Sequence, residues 1–166
     1  TLTAKFVVAV EGTSAKIVDT RKTAPLMRSL QKYAVRCGGG FNHRMGLFDG
    51  VMLKDNHIRL AGSIADAVAR VRATAPHMAK IEVECEALDQ VREAVTAGAE
   101  IVMLDNMDPF AMREAVRLFG DRCVLEASGG ITLDTVAQTG VHLISVGVLT
   151  HSAPALSFHL EIEGTD

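Results

Sequence analysis

Short apolar runs rich in β-branched residues recur along the chain, at 15–20, 51–54, 81–84, 101–105, 123–128 and 143–147, each giving way to polar residues. Runs of this length and composition predict six buried strands. Helical patterns with recognisable ends lie between them. Ser63 caps a helix with Asp66 three residues on, and Ile64, Val68 and Val71 form its apolar stripe. Leu88, Val91 and Val95 form a second stripe that stops at Gly98. Asp108 followed by Pro109 is a cap and first turn, and that helix runs to Gly120. From the third strand, the starts at Ile81, Ile101, Cys123 and Leu143 are about 20 residues apart, the spacing of minimal βα units joined by right-handed crossovers.

Two segments break the rhythm. Residues 21–50 are long and carry Gly38-Gly39-Gly40, which predicts an elaborated loop with a helix inside it. The helix at 133–138 is predicted to be very short. With 166 residues the chain fits one domain over 1–166 and is too short for a complete eight-fold barrel of about 250 residues. The expected fold is α/β, an open or incomplete (β/α) barrel with about six parallel strands.

Composition narrows the class. Hydrophobic residues at 48% are enough for a core, and with 4% aromatics and no Trp that core is aliphatic. The charge balance, 17 − 20 = −3, argues against nucleic-acid or membrane-surface binding through bulk basicity, so any cationic site is local. Cys37, Cys85 and Cys123 are odd in number and widely spaced, which reads as packed free thiols in a reducing, cytoplasmic setting. The charge-free stretch 135–160 is interrupted by Gly140, Gly147 and Pro154, so it reads as buried sheet and loop, not a membrane span. No secretory signal is visible at the start.

In βα folds the chemistry collects at the C-terminal ends of the strands. Those positions carry Thr20, Arg21 and Lys22, then Lys54, Glu84, Asp105, Glu126 with Ser128-Gly129-Gly130, and Gly147. Arg21, Lys22, His43, Arg44 and Lys54 together predict a site for a small polyanion. Glu84 and Asp105 are suited to Mg²⁺ or to a developing positive charge; Glu82 points to the same side as Glu84 and competes for that role. Ser128-Gly129-Gly130 and Gly147 offer bare amides to a phosphate.

The block at 19–58, with "DTRKTAP", "LQKYAVRCGGGFNHRMGLFDG" and "VMLKDNHI", closely resembles the quinolinate phosphoribosyltransferases, the decarboxylating nicotinate-nucleotide pyrophosphorylases. "IEVECEALDQ", "IVMLDNM", "LEASGGI" and "ISVGVLTHSAP" follow in the family's order, so the resemblance covers nearly the whole chain. It implies a glycosyltransferase of NAD biosynthesis that moves phosphoribose from phosphoribosyl pyrophosphate to quinolinate. Loss of the 2-carboxylate then gives nicotinate mononucleotide, pyrophosphate and CO₂. By resemblance Thr20, Arg21, Lys22, His43, Arg44 and Lys54 bind substrate, while Ser128, Gly129, Gly130, Gly147 and His151 hold the 5′-phosphate. Lys22, Lys54, Glu84 and Asp105 are the expected catalytic groups, with Glu84 and Asp105 also the expected Mg²⁺ ligands. Cys37 needs no role as a nucleophile.

Family members carry an N-terminal α/β sandwich domain, and their active site is completed by a dimer partner. This chain starts at the helix leading into the barrel, so that domain is expected to be absent and the full-length protein to be a homodimer or larger homo-oligomer. The segment 133–141 is shorter than the family's helix there. An alternative reading is a binding-only barrel that holds dicarboxylate and phosphate without turnover. A lyase or isomerase sharing only the Ser-Gly-Gly loop fits "TRK", "NHR" and "KDNH" poorly.

Overall fold

The computed structural model describes residues 2–162. After a leading helix α1 (Leu2–Ala9), the strands are β1 (Lys16–Val18), β2 (Val51–Leu53), β3 (Ile81–Cys85), β4 (Ile101–Asp105), β5 (Val124–Ser128) and β6 (Leu143–Ser145). They form one parallel sheet in the order β1-β6-β5-β4-β3-β2, with β1 and β2 at its two edges. The six strands run as in a barrel that stays open between β1 and β2. Between these edges sit the helix α2 (Arg28–Cys37) and the segment after it, and Phe41 bridges to Val18. Its amide donates to Ile17 O at 2.8 Å and its carbonyl accepts from Asp19 N–H at 3.1 Å, which satisfies part of the β1 edge.

The two faces of the sheet have opposite chemistry because side chains alternate along a strand. Ile81, Val83, Cys85, Val102, Leu104, Leu125, Ala127 and Ile144 face the helices and are fully enclosed. Each large aliphatic side chain buried in this way contributes roughly 1.5–3 kcal/mol. The intervening residues, among them Glu82, Glu84, Asp105, Glu126, Ser128 and Ser145, face the lumen. Glu84, Met103 and Glu126 stand in one register row, and Asp105 and Ser128 in the next. An eight-fold barrel fills its lumen with branched apolar side chains. This six-stranded one is polar inside and leaves room there.

The helices α4 (Ile64–Arg72), α5 (Leu88–Thr96) and α6 (Pro109–Phe119) end near the expected positions. The Ser63 hydroxyl accepts Asp66 N–H at 3.0 Å, and Asp108 accepts from Phe110 and Ala111 N–H at 2.8 and 3.0 Å. Strand β2 is followed by two helices, α3 (Asp55–Ala61) and α4, with Gly62 between them at a φ of 103°. The expected short helix at 133–138 is one 3₁₀ turn, Val136–Gln138, and the helix α7 (Val148–His151) is a single turn after β6.

Two sequence readings require correction. Cys85 is buried, but Cys37 is exposed, not packed: α2 buries Lys32 and Val35, and Cys37 falls off that face. The charge-free stretch 135–160 is buried only as far as α7. Residues 152–162 form exposed chain without regular structure, with the alternating apolar side chains of Leu156, Phe158, Leu160 and Ile162 unpacked. No helix among the described residues is long and apolar enough to cross a membrane.

Candidate active site

Every residue nominated from sequence lies at one of two adjoining cavities over the C-terminal ends of the strands. The first, about 330 Å³, is lined by Thr20, Arg21, Lys22, His43, Arg44, Lys54, Glu84, Asp105 and Ser128. The second, about 380 Å³, is lined by Ser128, Gly129, Gly130, Gly147 and His151. Thr20, Lys22, Asp105, Ser128 and Ser145 line both, so the cavities are continuous across that seam.

Helix α2 positions the cationic wall. The Arg28 guanidinium donates to Thr23 Oγ1, Met45 O and Arg21 O at 3.1, 3.2 and 3.1 Å. Gln31 takes Ala24 N–H at 2.9 Å and donates to Thr150 O at 2.7 Å, while the Thr150 hydroxyl donates to Lys22 O at 2.6 Å. One helical turn thus ties the 20–24 loop to the loop after β6, since residues three and four apart share a helix face. Lys32 is 2% exposed and pairs with the fully buried Asp19. Asp19 also accepts Asn42 Nδ2–H at 2.5 Å and His43 N–H at 2.9 Å, and Lys32 donates to His43 O at 2.8 Å. This buried, fully bonded pair fixes the backbone that presents His43 and Arg44.

Arg44 donates to Gly50 O at 2.8 Å and lies beside Met52 Sδ. Burial, and then the neighbouring Arg21 charge, hold its guanidinium below the ordinary range. A guanidinium held down by a like charge beside it is an arrangement that an anion would relieve. Lys54 pairs with Glu84 at the end of β2, and its amide donates to His57 Nδ1 at 2.9 Å. Depth separates the two candidate glutamates: Glu84 lines the first cavity, and Glu82 lies a layer lower against His43.

The second cavity is a backbone cradle. Gly129 and Gly130 have φ of 81° and 61°, a left-handed pair. A Cβ on Gly129 would stand 2.2 Å from Asn106 Oδ1, and one on Gly147 would stand 2.7 Å from His151 Nε2. Asn106 is itself left-handed at φ 53°, held by its amide to Ser128 O at 2.9 Å and its side chain to Asp105 Oδ2 at 2.9 Å. A strained residue at a strand end is a common active-site feature.

Sequence reasoning did not assign Asn106 or Ser145, nor did it give Glu126 a role. Glu126 is 1% exposed on the floor of the first cavity. The signal was present in the alternation: Glu126 and Ser128 interrupt an apolar run on one side, as Glu82 and Glu84 do in β3. His43 lines the first cavity, but both ring nitrogens are engaged. Nδ1 accepts Arg44 N–H at 2.7 Å, and Nε2 lies 3.1 Å from Glu82 Oε2 and 3.6 Å from Glu126 Oε1. Burial opposes its charged form, and the Glu82 hydrogen bond and the two carboxylate charges outweigh it, so the ring titrates above its ordinary value.

Glu84 and Asp105 stand on neighbouring strands across the first cavity, Glu84 neutralised by Lys54 and Asp105 bonded to Asn106. Two such carboxylates do not make a protein cage for a resident ion. They fit Mg²⁺ that keeps waters and arrives on substrate oxygens.

Comparison with known proteins agrees with this geometry. The family model described as "Quinolinate phosphoribosyl transferase, C-terminal domain" matches residues 1–161. A probable nicotinate-nucleotide pyrophosphorylase (carboxylating) of Bacillus subtilis is 48% identical over 165 residues, covering 98% of this chain and 57% of that protein. The nicotinate-nucleotide pyrophosphorylase (carboxylating) of Mycobacterium leprae is 45% identical over 168 residues, with 98% of this chain and 59% of that one covered. The crystal structure of NadC from Streptococcus pyogenes superposes with a TM-score of 0.89 at 44% identity, covering 96% of this chain and 57% of its own. The chain therefore spans a little over half the length of these relatives. Identity at this level across nearly all of the chain, on the same fold, places it in the quinolinate phosphoribosyltransferase family, whose C-terminal domain it matches.

Proposed function

We propose that this chain carries out, or supplies the barrel for, transfer of phosphoribose from phosphoribosyl pyrophosphate to the ring nitrogen of quinolinate, with decarboxylation to nicotinate mononucleotide. The observation that carries this reading is the seam between the two cavities. Arg21, Arg44 and Lys54 line the side suited to a dicarboxylate, Gly129, Gly130 and Gly147 the side suited to a phosphate, and Lys22 and Asp105 line both. A ring and a ribose phosphate held on either side of that seam meet at the anomeric carbon.

As pyrophosphate leaves, that carbon gains oxocarbenium character, which Glu84 and Asp105 stabilise as fixed anions. Lys22 offsets charge on the departing pyrophosphate. Mg²⁺, arriving with the substrate, would rest on the Glu84 and Asp105 side and supply further charge there. Holding the ring nitrogen against the anomeric carbon supplies much of the remaining barrier reduction. After transfer, the quaternised nitrogen is the electron sink for CO₂ loss, so no side-chain nucleophile is required.

A second reading is a barrel that binds both ligands but turns over only with further protein; the chain matches 57% of the Bacillus subtilis relative. Exposed Leu26, Leu30, Tyr33, Leu47 and Phe48 around α2 support association with a second copy. Three free cysteines support residence in a reducing cytoplasm. Assay of nicotinate mononucleotide formation, with calorimetry of phthalate as a stable dicarboxylate, separates the readings. Product with Mg²⁺ supports the enzyme, and phthalate binding without product supports the binding barrel. Arg44→Ala and Lys54→Ala are each expected to weaken phthalate by about 2 kcal/mol, the loss of a charge-assisted hydrogen bond. Unchanged phthalate binding in both variants overturns the site.

A further inference from the structure

At the floor of the first cavity, His43, Glu82 and Glu126 form a cluster, and the transfer step gives no role to its two carboxyls. Glu82 is 3% exposed and Glu126 1%, and an oxygen of each, Oε1, is buried without a hydrogen-bond partner. The Arg44 amide donates to His43 Nδ1, so the ring hydrogen sits on Nε2 and goes to Glu82 Oε2 at 3.1 Å. That leaves Glu126 Oε1, 3.6 Å from the same nitrogen, with no donor. The hydroxyl of Ser145 lies 3.2 Å from Ala127 O and also within reach of Glu126, whose charged form it favours less strongly than burial opposes it. The facing groups are thus the His43 ring, the Glu82 carboxylate that takes its Nε2 hydrogen, the Arg44 charge beside both, and a second buried carboxyl. Two negative charges at that depth are costly even beside Arg44, so the cluster carries one further proton. The carboxylates raise His43, yet its Nδ1 cannot take that proton without turning N–H into the Arg44 amide. Glu126 can, and burial, with repulsion from Glu82, lifts its carboxyl to about 7.

The position of Glu126 gives that proton a destination. Glu126 lines the first cavity with Arg21, Arg44 and Lys54, and it also lines a third cavity of about 620 Å³ on the far side, with Lys32, Asn42 and Lys80. Among the described residues it is the one carboxyl shared by the first cavity and this opposite opening.

We propose that Glu126 stands as a neutral carboxylic acid on the floor of the substrate cavity and delivers the proton that replaces the departing carboxylate on the ring carbon. The inference rests on the phosphoribosyl-transfer reading above. The bond between the ring carbon and its carboxylate breaks, CO₂ leaves, and the electron pair stays on the ring carbon beside the quaternised nitrogen. That pair forms a C–H bond with the Glu126 proton. Glu126 becomes a carboxylate and recovers a proton from water entering through the third cavity.

Two measurements test this on the chain and its Glu126→Gln variant. Infrared difference spectra at pH 6 are expected to show a protonated-carboxyl band in the wild type that Glu126→Gln lacks; absence of that band overturns the proposal, whether or not the chain turns over. In single-turnover quench experiments, Glu126→Gln is expected to release pyrophosphate at the wild-type rate. Nicotinate mononucleotide should form about a hundredfold more slowly, as loss of a general acid predicts, with Glu126→Asp partly restoring it. Pyrophosphate and product falling together, or neither falling, overturns it. A wild type that releases no pyrophosphate counts against the parent reading, while the infrared band still decides the state of Glu126.

Discussion

Burial, ahead of repulsion from Glu82, lifts the Glu126 carboxyl from an ordinary 4.5 to about 7, and this has a thermodynamic signature independent of any reaction. Below about 4.5 the group is protonated in both folded and unfolded chains. As pH rises, the unfolded chain releases its proton first, so stability falls until about 7 and is level above. A shift of that size corresponds to roughly 3 kcal/mol. Urea unfolding at pH 5 and pH 8 should show wild type losing on that order, and Glu126→Gln losing much less. His43, also raised, contributes with the same sign, and because Glu126 is one cause of its shift, Glu126→Gln reduces that contribution as well. Equal losses would refute the burial account. A second residue-scale prediction concerns Gly129, with a φ of 81° and Asn106 Oδ1 where a Cβ would stand. Gly129→Ala is expected to cost about 1–2 kcal/mol in thermal unfolding from the left-handed backbone alone. It should also abolish inorganic phosphate binding. Retained phosphate affinity would show that the cradle lies elsewhere.

Among the elements, α2 decides most about the site. Its sequence reads as an ordinary amphipathic helix, yet Arg28, Gln31 and Lys32 each hold backbone from a different loop. Lys32→Met leaves Asp19 buried and unpaired, which is expected to cost about 3–5 kcal/mol, read by chemical denaturation. A cost below about 1 kcal/mol would mean that water replaces the ammonium. The strands and capped helices were legible because each is a local pattern: alternation for β3 to β5, Ser63 and Asp108 as caps. The role of α2 was not legible, because its partners lie between five and 119 residues away in sequence. Cys37 was misread for a related reason, since a thiol beside a glycine turn carries no local mark of which way the helix end faces.

For the whole molecule, the open ring explains how a short chain builds a polar interior. Six strands leave a gap between β1 and β2, and the insertion that carries α2 fills it while bringing His43 and Arg44 to the lumen. The exposed tail is the other large-scale feature. Leu156, Phe158, Leu160 and Ile162 alternate on exposed chain without regular structure, a pattern open to edge-to-edge pairing. Ending the chain after Pro154 is expected to leave the unfolding midpoint within about 2 °C, as surface changes do. It should also reduce concentration-dependent association in sedimentation. A large drop in midpoint would show that the tail packs on the barrel. By itself the sequence determined the strands, the parallel topology, the family and all the nominated rim residues, because periodicity, caps and motif blocks are local. Only the tertiary structure decided that Glu82, Glu126 and His43 meet, that Lys32 reaches Asp19, and that Glu84 and not Glu82 lines the first cavity. Those facts depend on which strands become neighbours and on how deep each residue sits, and both are set by the closing of the sheet.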